Sequence, residues 1–223
     1  MRHDLSTLDS LEPLIKEVEA ELVRQSSLAP WAEQAAFLVQ LPGIGVHNAM
    51  VLLAAIGKIR RFAAAHKLVG YAGLGARVHS SGDEQYGGRI TKQGRRDVRS
   101  TMVEAAWVAV GGHPYWKQLF ERLAFRVGKP KAIIAIARKL LLVVWHVLTK
   151  HVADREAVPE KVAGKFLEWS RKLGRANRAG LDSGTFIRRE LRRLQLGDHI
   201  TVISRGKRTF PIAAVGAASQ ATG

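Results

Sequence analysis

The stretch that decides the fold of this chain begins with Leu41-Pro42-Gly43-Ile44-Gly45 and continues through Tyr71-Ala72-Gly73-Leu74 to Gly88-Arg89-Ile90-Thr91-Lys92-Gln93-Gly94-Arg95-Arg96. The first of these segments lies between two apolar stretches, residues 30–39 and 46–56, that have the composition of helices. A glycine-rich turn between two helices is typical of a helix-hairpin-helix.

Gly43 and Gly45 make this turn a candidate contact for a DNA backbone. Glycine allows positive φ and lets another backbone approach closely. The free N–H groups at the start of the next helix, together with its dipole, can face a phosphate oxygen. The alternative is a plain turn between helices, in which the same glycines serve only the fold.

Helices dominate the rest of the chain. The pattern predicts helices over residues 63–72, 95–110, from 113 onward, 131–151, 160–173 and 185–194. The helix at 131–151 is apolar almost all round and is predicted to be the central core helix. One β-hairpin is predicted from residues 77–80 and 88–91, and a second around Arg205-Gly206. The fold class is therefore mainly α, with a helix-hairpin-helix core and a small β-hairpin around the loop after Ser80.

Three segments follow from the shifts in composition: a coiled-coil-like helix at 1–28, a core domain at 29–152 and a basic C-terminal extension at 153–223. The first segment has apolar residues at the 3–4 spacing of a coiled-coil seam, namely Leu8, Leu11, Ile15, Val18 and Leu22. Because the pattern covers only about two heptads, an amphipathic helix packed on its own domain is the alternative.

The charge points to a polyanionic partner, since the chain has a formal net charge of +16 and a sequence pI near 10.8. The absence of cysteine excludes disulfides and cysteine-ligated zinc. The most apolar run, residues 133–148, is interrupted by Arg138 and Lys139 and is too short for a membrane span. The sequence thus predicts a cytoplasmic protein with no membrane partner.

A cluster of cations is the strongest local sign of phosphate binding. Lys92, Arg95, Arg96 and Arg99 have the i, i+3, i+4, i+7 spacing that would place them on one helix face if a helix begins near Lys92. Asp97 is expected on a different side. An ordinary solvated face is the alternative.

Ser81 precedes Gly82 in a predicted loop beside this cluster. A Ser-Gly pair is most often a turn element. Its serine becomes a nucleophile only where a base or a metal removes the proton and cations stabilise the developing oxyanion. His79, Asp83 and Glu84 are near in sequence, but no spacing marks one of them as the base.

From Leu41 to about Lys150, these motifs resemble, in order, the C-terminal domain of the bridge-RNA-guided insertion-sequence transposases (the IS one-ten type, with DEDD and serine active-site parts). The match also includes Gly128-Lys129-Pro130-Lys131 and Ala137-Arg138-Lys139-Leu140-Leu141. The resemblance implies that Ser81 joins covalently to DNA, with Ser80 as the alternative. Arg77, Arg138 and Lys139 join the basic cluster as candidate DNA-binding residues.

In that family, a separate RuvC-like domain carries the acidic residues that bind magnesium, and a coiled coil links the two domains. The resemblance therefore implies Mg²⁺ for the complete assembly and no cofactor in this chain. Its implied partners are DNA, a guide RNA, and a second copy or a full-length transposase.

Two features depart from the family pattern: Ala76 stands where proline is usual, and only about forty residues precede the glycine turn. The chain is accordingly expected to be inactive alone, either as a truncated or decayed copy or as a fragment that acts only in a mixed assembly, with residues 1–28 as a remnant of the linker. The rival hypothesis is a nucleic-acid-binding module without chemistry. A third is an RNA-binding protein that uses the basic residues between 161 and 208.

Overall fold

The computed structural model describes residues 2–81 and 84–216, with residues 2–3, 77–81 and 84–89 described by their backbone alone. Within these residues the protein is mainly helical, with two small antiparallel sheets, as the sequence predicted. The helices are α1 (Arg2–Gln25), α2 (Trp31–Val39), α3 (Val46–Ile56), α4 (Ala65–Tyr71), α5 (Arg96–Gly112), α6 (Pro114–Val127), α7 (Lys129–Lys150), α8 (Pro159–Leu173) and α9 (Ser183–Arg193). The strands are β1 (Ala76–Ser81), β2 (Glu84–Ile90), β3 (Val202–Arg205) and β4 (Arg208–Pro211).

The described residues form two compact units. The first contains residues up to 39, residues 45–50 and residues from 157 onward, and the second contains residues 40–44 and 51–156. Compact units are not the same as domains that fold alone. The division into segments 1–28, 29–152 and 153–223 therefore stays a prediction.

Helix α8 organises the first unit, where it packs against α1, α2, α9 and β3. Its buried Trp169 donates a hydrogen bond from Nε1 to the buried Ser26 Oγ at 2.8 Å, just beyond the end of α1. The edge of the same indole meets the Phe186 ring of α9 at 5.2 Å between centroids. Such tilted aromatic pairs add to the stabilisation from apolar burial.

A buried arginine fastens the C-terminal part of this unit. The Arg188 side chain is fully buried in α9 and donates to the carbonyl oxygens of Ala213 at 2.8 Å and Gly197 at 3.0 Å, and also to that of Ile200. A buried charge is costly unless it is hydrogen-bonded. This arginine therefore serves the fold, although the sequence counted it among the basic surface residues.

The seam predicted on α1 lies on an exposed surface. Six large apolar side chains on its first five turns are between 44% and 62% exposed, namely Leu5, Leu8, Leu11, Leu14, Ile15 and Val18. Burial begins only near the end of α1, at Val23. In the described part of the chain, packing within the domain therefore covers part of Leu22 but leaves the seam exposed from Leu8 to Val18.

Helix α7 is the core of the second unit, as predicted, and packs against α4, α5 and α6. Trp145 on α7 donates from Nε1 to the Phe62 carbonyl at 2.9 Å. Among the described helices, α7 alone is long and apolar enough to cross a membrane, but half of its most apolar stretch is buried inside the protein. Its packing is that of a core helix.

Candidate nucleic-acid interface

The glycine turn before α3 packs inside the second unit at Gly43. Leu41 and Ile44 are fully buried, and the Ile44 N–H donates to the Leu41 carbonyl at 3.2 Å. Gly43 has φ +77°, and a Cβ added there would lie 2.7 Å from the carbonyl carbon of Ala105 on α5 and closer still to its oxygen. The close approach that requires this glycine is thus to a backbone segment of the same chain. A DNA contact at Gly43 stays a prediction.

Gly45 stands in a different environment. It is exposed, a Cβ added there would meet no atom within 4 Å, and its carbonyl accepts from the Ala49 N–H of α3 at 2.9 Å. It directly precedes α3, whose first-turn N–H groups are the kind that bind anions. Of the two predicted glycine contacts, Gly45 is the one with open space around it.

Two of the motifs quoted from the sequence meet at the base of the first β-hairpin. The backbone N–H groups of Thr91, Lys92 and Arg95 donate to the carbonyls of Gly75 at 2.9 Å, Gly73 at 3.1 Å and Tyr71 at 2.8 Å, respectively. We call residues 71–75 and 91–95 the hairpin base. These bonds tie the segment before β1 to the segment after β2, and so fix where the hairpin leaves the unit.

Two glycines of the hairpin base, Gly73 and Gly94, are required by this pairing. A Cβ on Gly73, which has φ +68°, would lie 3.0 Å from the Gln93 carbonyl oxygen. A Cβ on Gly94 would lie 2.8 Å from the Gly73 nitrogen and closer still to the Tyr71 oxygen. Sequence reasoning named both motifs but missed that they fit each other. The signal was their glycines, placed just outside the two predicted strands.

Arg99 holds the hairpin base from α5. Its Nη1 donates to the Ala72 carbonyl at 3.1 Å and to the Lys92 carbonyl at 3.2 Å, and the residue is half-buried. One guanidinium therefore bridges the two segments. A contact of Arg99 with DNA stays a prediction, but part of its hydrogen-bonding capacity serves the fold.

The four predicted cations do not share one helix face, because α5 begins at Arg96. Lys92 and Arg95 precede the helix, and Lys92 has φ +55°. Asp97 was expected to lie apart from the cations, which is wrong: Arg95 Nε donates to its Oδ1 at 3.0 Å, and the second pair of atoms also meets. The Arg95 guanidinium lowers the pKa of Asp97 to about 2.

Lys92 and Arg96 differ from Arg95 and Arg99 because their side chains can bind a ligand without giving up a contact seen in the structure. Both are exposed, and neither forms an ion pair within the part of the chain that the structure describes. They flank the exit of β2 and the start of α5. Arg138 and Lys139 are exposed on α7, between the fully buried Ala137 and Leu140.

The hairpin itself is longer than predicted, and its turn is shorter. The backbone pairs Ala76 with Ile90, and the last pair is Ser81 with Glu84. Ser81 is therefore the final residue of β1 and not a loop residue, and Gly82 lies outside the described residues. The side chains of Arg77 and Ser81 also lie outside them, so their placement beside Lys92 and Arg96 stays a prediction.

Comparisons with known proteins support the family to which these motifs point. Residues 35–121 match the family described as Transposase IS116/IS110/IS902. A putative transposase of Sinorhizobium fredii is 30% identical over 169 residues, which is 68% of this chain and 42% of that protein. The pilin gene-inverting protein of Moraxella bovis is 35% identical over 122 residues, which is 53% of this chain and 38% of that protein.

A transposase of the element IS1111A from Coxiella burnetii is 29% identical over 119 residues, which is 52% of this chain and 33% of that protein. This chain thus spans less than half the length of these relatives. The matched region includes the glycine turn, the hairpin base and the first β-hairpin. Residues 35–121 are thus similar to the IS116/IS110/IS902 transposase family, and the named relatives are two transposases and a pilin gene-inverting protein.

Proposed function

We propose that this chain is the DNA-binding, serine-bearing part of an insertion-sequence transposase or recombinase of the bridge-RNA-guided type. The observation that carries the proposal is the hairpin base. It fixes the exit of β1 and β2, and exposed Lys92 and Arg96, without ion pairs among the described residues, stand at its edge. A rigid support for a catalytic strand beside free cations is what a phosphodiester site needs.

In this proposal, Lys92 and Arg96 contact the DNA backbone. Gly45 and the start of α3, which belong to the first unit, are a separate candidate phosphate contact. Such contacts bind any sequence, because phosphates carry no base identity. Sequence choice would come from a guide RNA, as the family resemblance implies.

The chemistry proposed for Ser81 is a phosphoryl transfer. The Oγ attacks a backbone phosphorus, a new Oγ–P bond forms, and the bond from phosphorus to one deoxyribose oxygen breaks. The serine proton leaves to a base, and the departing oxygen takes up a proton. Lys92 and Arg96 would offset the charge that develops on the phosphoryl oxygens.

The residues described here do not fit the magnesium that the family implies. Among the residues whose side chains the structure describes, which leave out 77–89 and so His79, Asp83 and Glu84, no three His, Asp or Glu side chains come together as metal ligands. We therefore derive no step through a metal, and Asp97, already paired with Arg95, is not offered as a ligand.

The partner that the proposal adds is a second copy of this chain. The apolar seam of α1 is exposed over residues 5–18, and a matching helix would bury it as a coiled coil. A full-length transposase with a similar helix would fit the same seam.

The second candidate is a nucleic-acid-binding module without chemistry. The exposed Lys92 and Arg96 support it equally, because they can hold phosphates whether or not Ser81 reacts. The two candidates agree on DNA binding and differ only at Ser81.

The experiment that separates them combines this chain with a full-length family transposase whose own nucleophilic serine is replaced by alanine, together with end-labelled DNA of that transposase's element. We expect a covalent adduct on this chain, detected on a denaturing gel. It should be lost in Ser81→Ala and kept in Ser80→Ala.

An adduct that survives Ser81→Ala would overturn the assignment of the nucleophile. DNA binding with no adduct on this chain would establish the non-catalytic module. We expect no strand cleavage by the chain alone with magnesium, so unaided cleavage would contradict the account of the missing metal ligands.

A further inference from the structure

The last turn of α6 carries an apolar side chain that the core does not use. Phe125 is 98% exposed, more than any other large apolar residue among those described. The inner face of α6 is formed by Trp116, Leu119 and Phe120, which are buried. Phe125 therefore stands on the outer face, beyond the region 35–121 that matches the transposase family.

Three cations lie close to Phe125 along the chain. Arg122 lies three residues before Phe125 on the same face of the helix, and Arg126 follows it directly. Gly128, with φ +81°, ends α6, and α7 begins at once with Lys129. All three cations are exposed, and none forms an ion pair within the described residues.

Acidic residues are sparse at this corner. Glu121, one turn before Phe125, is the last acid before Asp154. The intervening residues 122–153 carry seven lysines and arginines: Arg122, Arg126, Lys129, Lys131, Arg138, Lys139 and Lys150. Four of them, Arg122, Arg126, Lys129 and Lys131, lie near the corner itself and favour the approach of a polyanion.

We propose that this α6–α7 corner binds single-stranded nucleic acid, with an unpaired base stacked on Phe125 and the adjacent phosphates on Arg122, Arg126 and Lys129. Aromatic stacking platforms beside cations are the general solution for unpaired strands, because every base has a π-face. A duplex offers no such face, since its bases are already stacked on each other. The ring is thus expected to contribute to single strands alone.

The surroundings of the ring favour a base over other apolar ligands. The outer face of α6 also carries Lys117, Gln118 and Glu121, all exposed. A membrane-binding helix or a protein-docking face would need a continuous apolar stripe. The other exposed large apolar side chains of α6, Tyr115 and Val127, are ten residues before and two residues after Phe125, so they form no stripe with it. One exposed ring with charged neighbours matches a single flat ligand attached to a polyanion.

This inference rests on the nucleic-acid binding proposed above and adds a second site to it. Strand transfer leaves unpaired stretches near the cleaved phosphodiester, and a platform for unpaired bases would hold them. Stacking is the same chemistry for DNA and RNA, so the test measures both.

The test compares wild type, Phe125→Ala and Phe125→Tyr, with oligothymidylate and oligouridylate of about 15 nucleotides and with a duplex of similar length. We expect Phe125→Ala to weaken binding of one or both single strands by about 5- to 100-fold. Duplex affinity should change less than twofold, and Phe125→Tyr should bind like wild type. The strand with the larger loss identifies the natural ligand as DNA or RNA.

Val108→Ala is the matched control, since Val108 is an exposed apolar residue on α5 at 61% exposure. Photocrosslinking to 5-iodouracil in the single strand should map to Phe125. Single-strand affinity unchanged in Phe125→Ala, or lost equally in Val108→Ala, would overturn the inference while leaving duplex binding intact. Loss of single-strand binding in a chain that never binds duplex would instead overturn the proposed function and retain this site.

Discussion

Gly43 and Gly45 stand two residues apart in one motif, yet the structure predicts different consequences for the same substitution at each. In Gly43→Ala, the new Cβ would overlap the Ala105 carbonyl group on α5, because its position lies 2.7 Å from the carbonyl carbon. The backbone of the turn sets the position of this Cβ, and the carbonyl belongs to the backbone of α5. Rotation of a side chain therefore cannot relieve the overlap. The substitution must therefore move the turn away from α5.

The cost has two parts. Holding alanine at φ +77° costs about 1–2 kcal/mol in the left-handed region. Overpacking a well-packed contact costs about 1–3 kcal/mol. The free energy of unfolding should therefore fall by roughly 2–5 kcal/mol, a large share of the ~5–15 kcal/mol typical of a folded protein. For a chain of this size, the Tm should fall by about 4–20 °C.

Thermal unfolding followed by circular dichroism measures this change, and Gly45→Ala is the control. A Cβ at Gly45 meets nothing within 4 Å, so its stability should stay within about 0.5 kcal/mol of wild type. If phosphates approach Gly45, the same variant should bind DNA more weakly at unchanged Tm. A Gly43→Ala protein as stable as wild type would refute the packing of the turn on α5.

Three further outcomes follow from the structure. Arg99→Met removes the bridge across the hairpin base and should lower the free energy of unfolding by about 1–3 kcal/mol, measured by urea unfolding; unchanged stability would exclude the bridge. Ile15→Asp should convert a dimer to a monomer in sedimentation at tens of micromolar, and a monomeric wild type would leave the seam of α1 without a second copy. Burial lowers the pKa of Lys165 from its ordinary value of 10.5 to about 7. Between about pH 7 and 10.5, the unfolded chain therefore binds more protons at this lysine than the folded chain does. Because of this difference, the free energy of unfolding should rise with pH over that window. Lys165→Met should abolish this part of the rise, and an identical pH profile in both proteins would show that Lys165 is not desolvated.

Glycine and proline residues at the helix ends allowed most of the helices to be predicted from the sequence. The bounds of α3 were predicted correctly because Gly45 and Gly57 flank an apolar run, and Gly57 has φ +59° as a helix stop requires. The start of α6 at Pro114 was predicted for a similar reason, since proline fits the first turn of a helix. These signals act within a few residues and need no knowledge of the fold.

Contacts between residues far apart in the chain explain the features that could not be predicted from the sequence. The helix predicted over residues 95–110 begins at Arg96, so the shared face that required a start near Lys92 does not form; the N–H groups of Lys92 and Arg95 donate to the segment 71–75 instead. No local pattern encodes that pairing. For the same reason, the burial of Arg188 and the bridge made by Arg99 could not be distinguished from ordinary surface charge.

The sequence predicted which residues belong to the candidate site, but it did not predict how their side chains are arranged. The sequence located the cations around the first hairpin, but it did not distinguish Arg95, paired with Asp97, from Arg96, which is available. That distinction depends on side-chain directions at the start of α5, which spacing alone does not fix. The role of Ser81 still rests on the family resemblance.

The central claim is that Lys92 and Arg96 bind DNA phosphates, and the salt dependence of affinity tests it most directly. Each phosphate contact adds about 0.9 to the slope of log K against log salt on duplex DNA, so the double variant Lys92→Ala/Arg96→Ala should lower the magnitude of the slope by about 1.8. The matched control is Lys207→Ala/Arg208→Ala, which removes the same exposed residue types from the β3–β4 hairpin of the other unit. The account predicts that the control keeps the wild-type slope. A slope unchanged in the Lys92/Arg96 variant, or equally reduced in both, would contradict it.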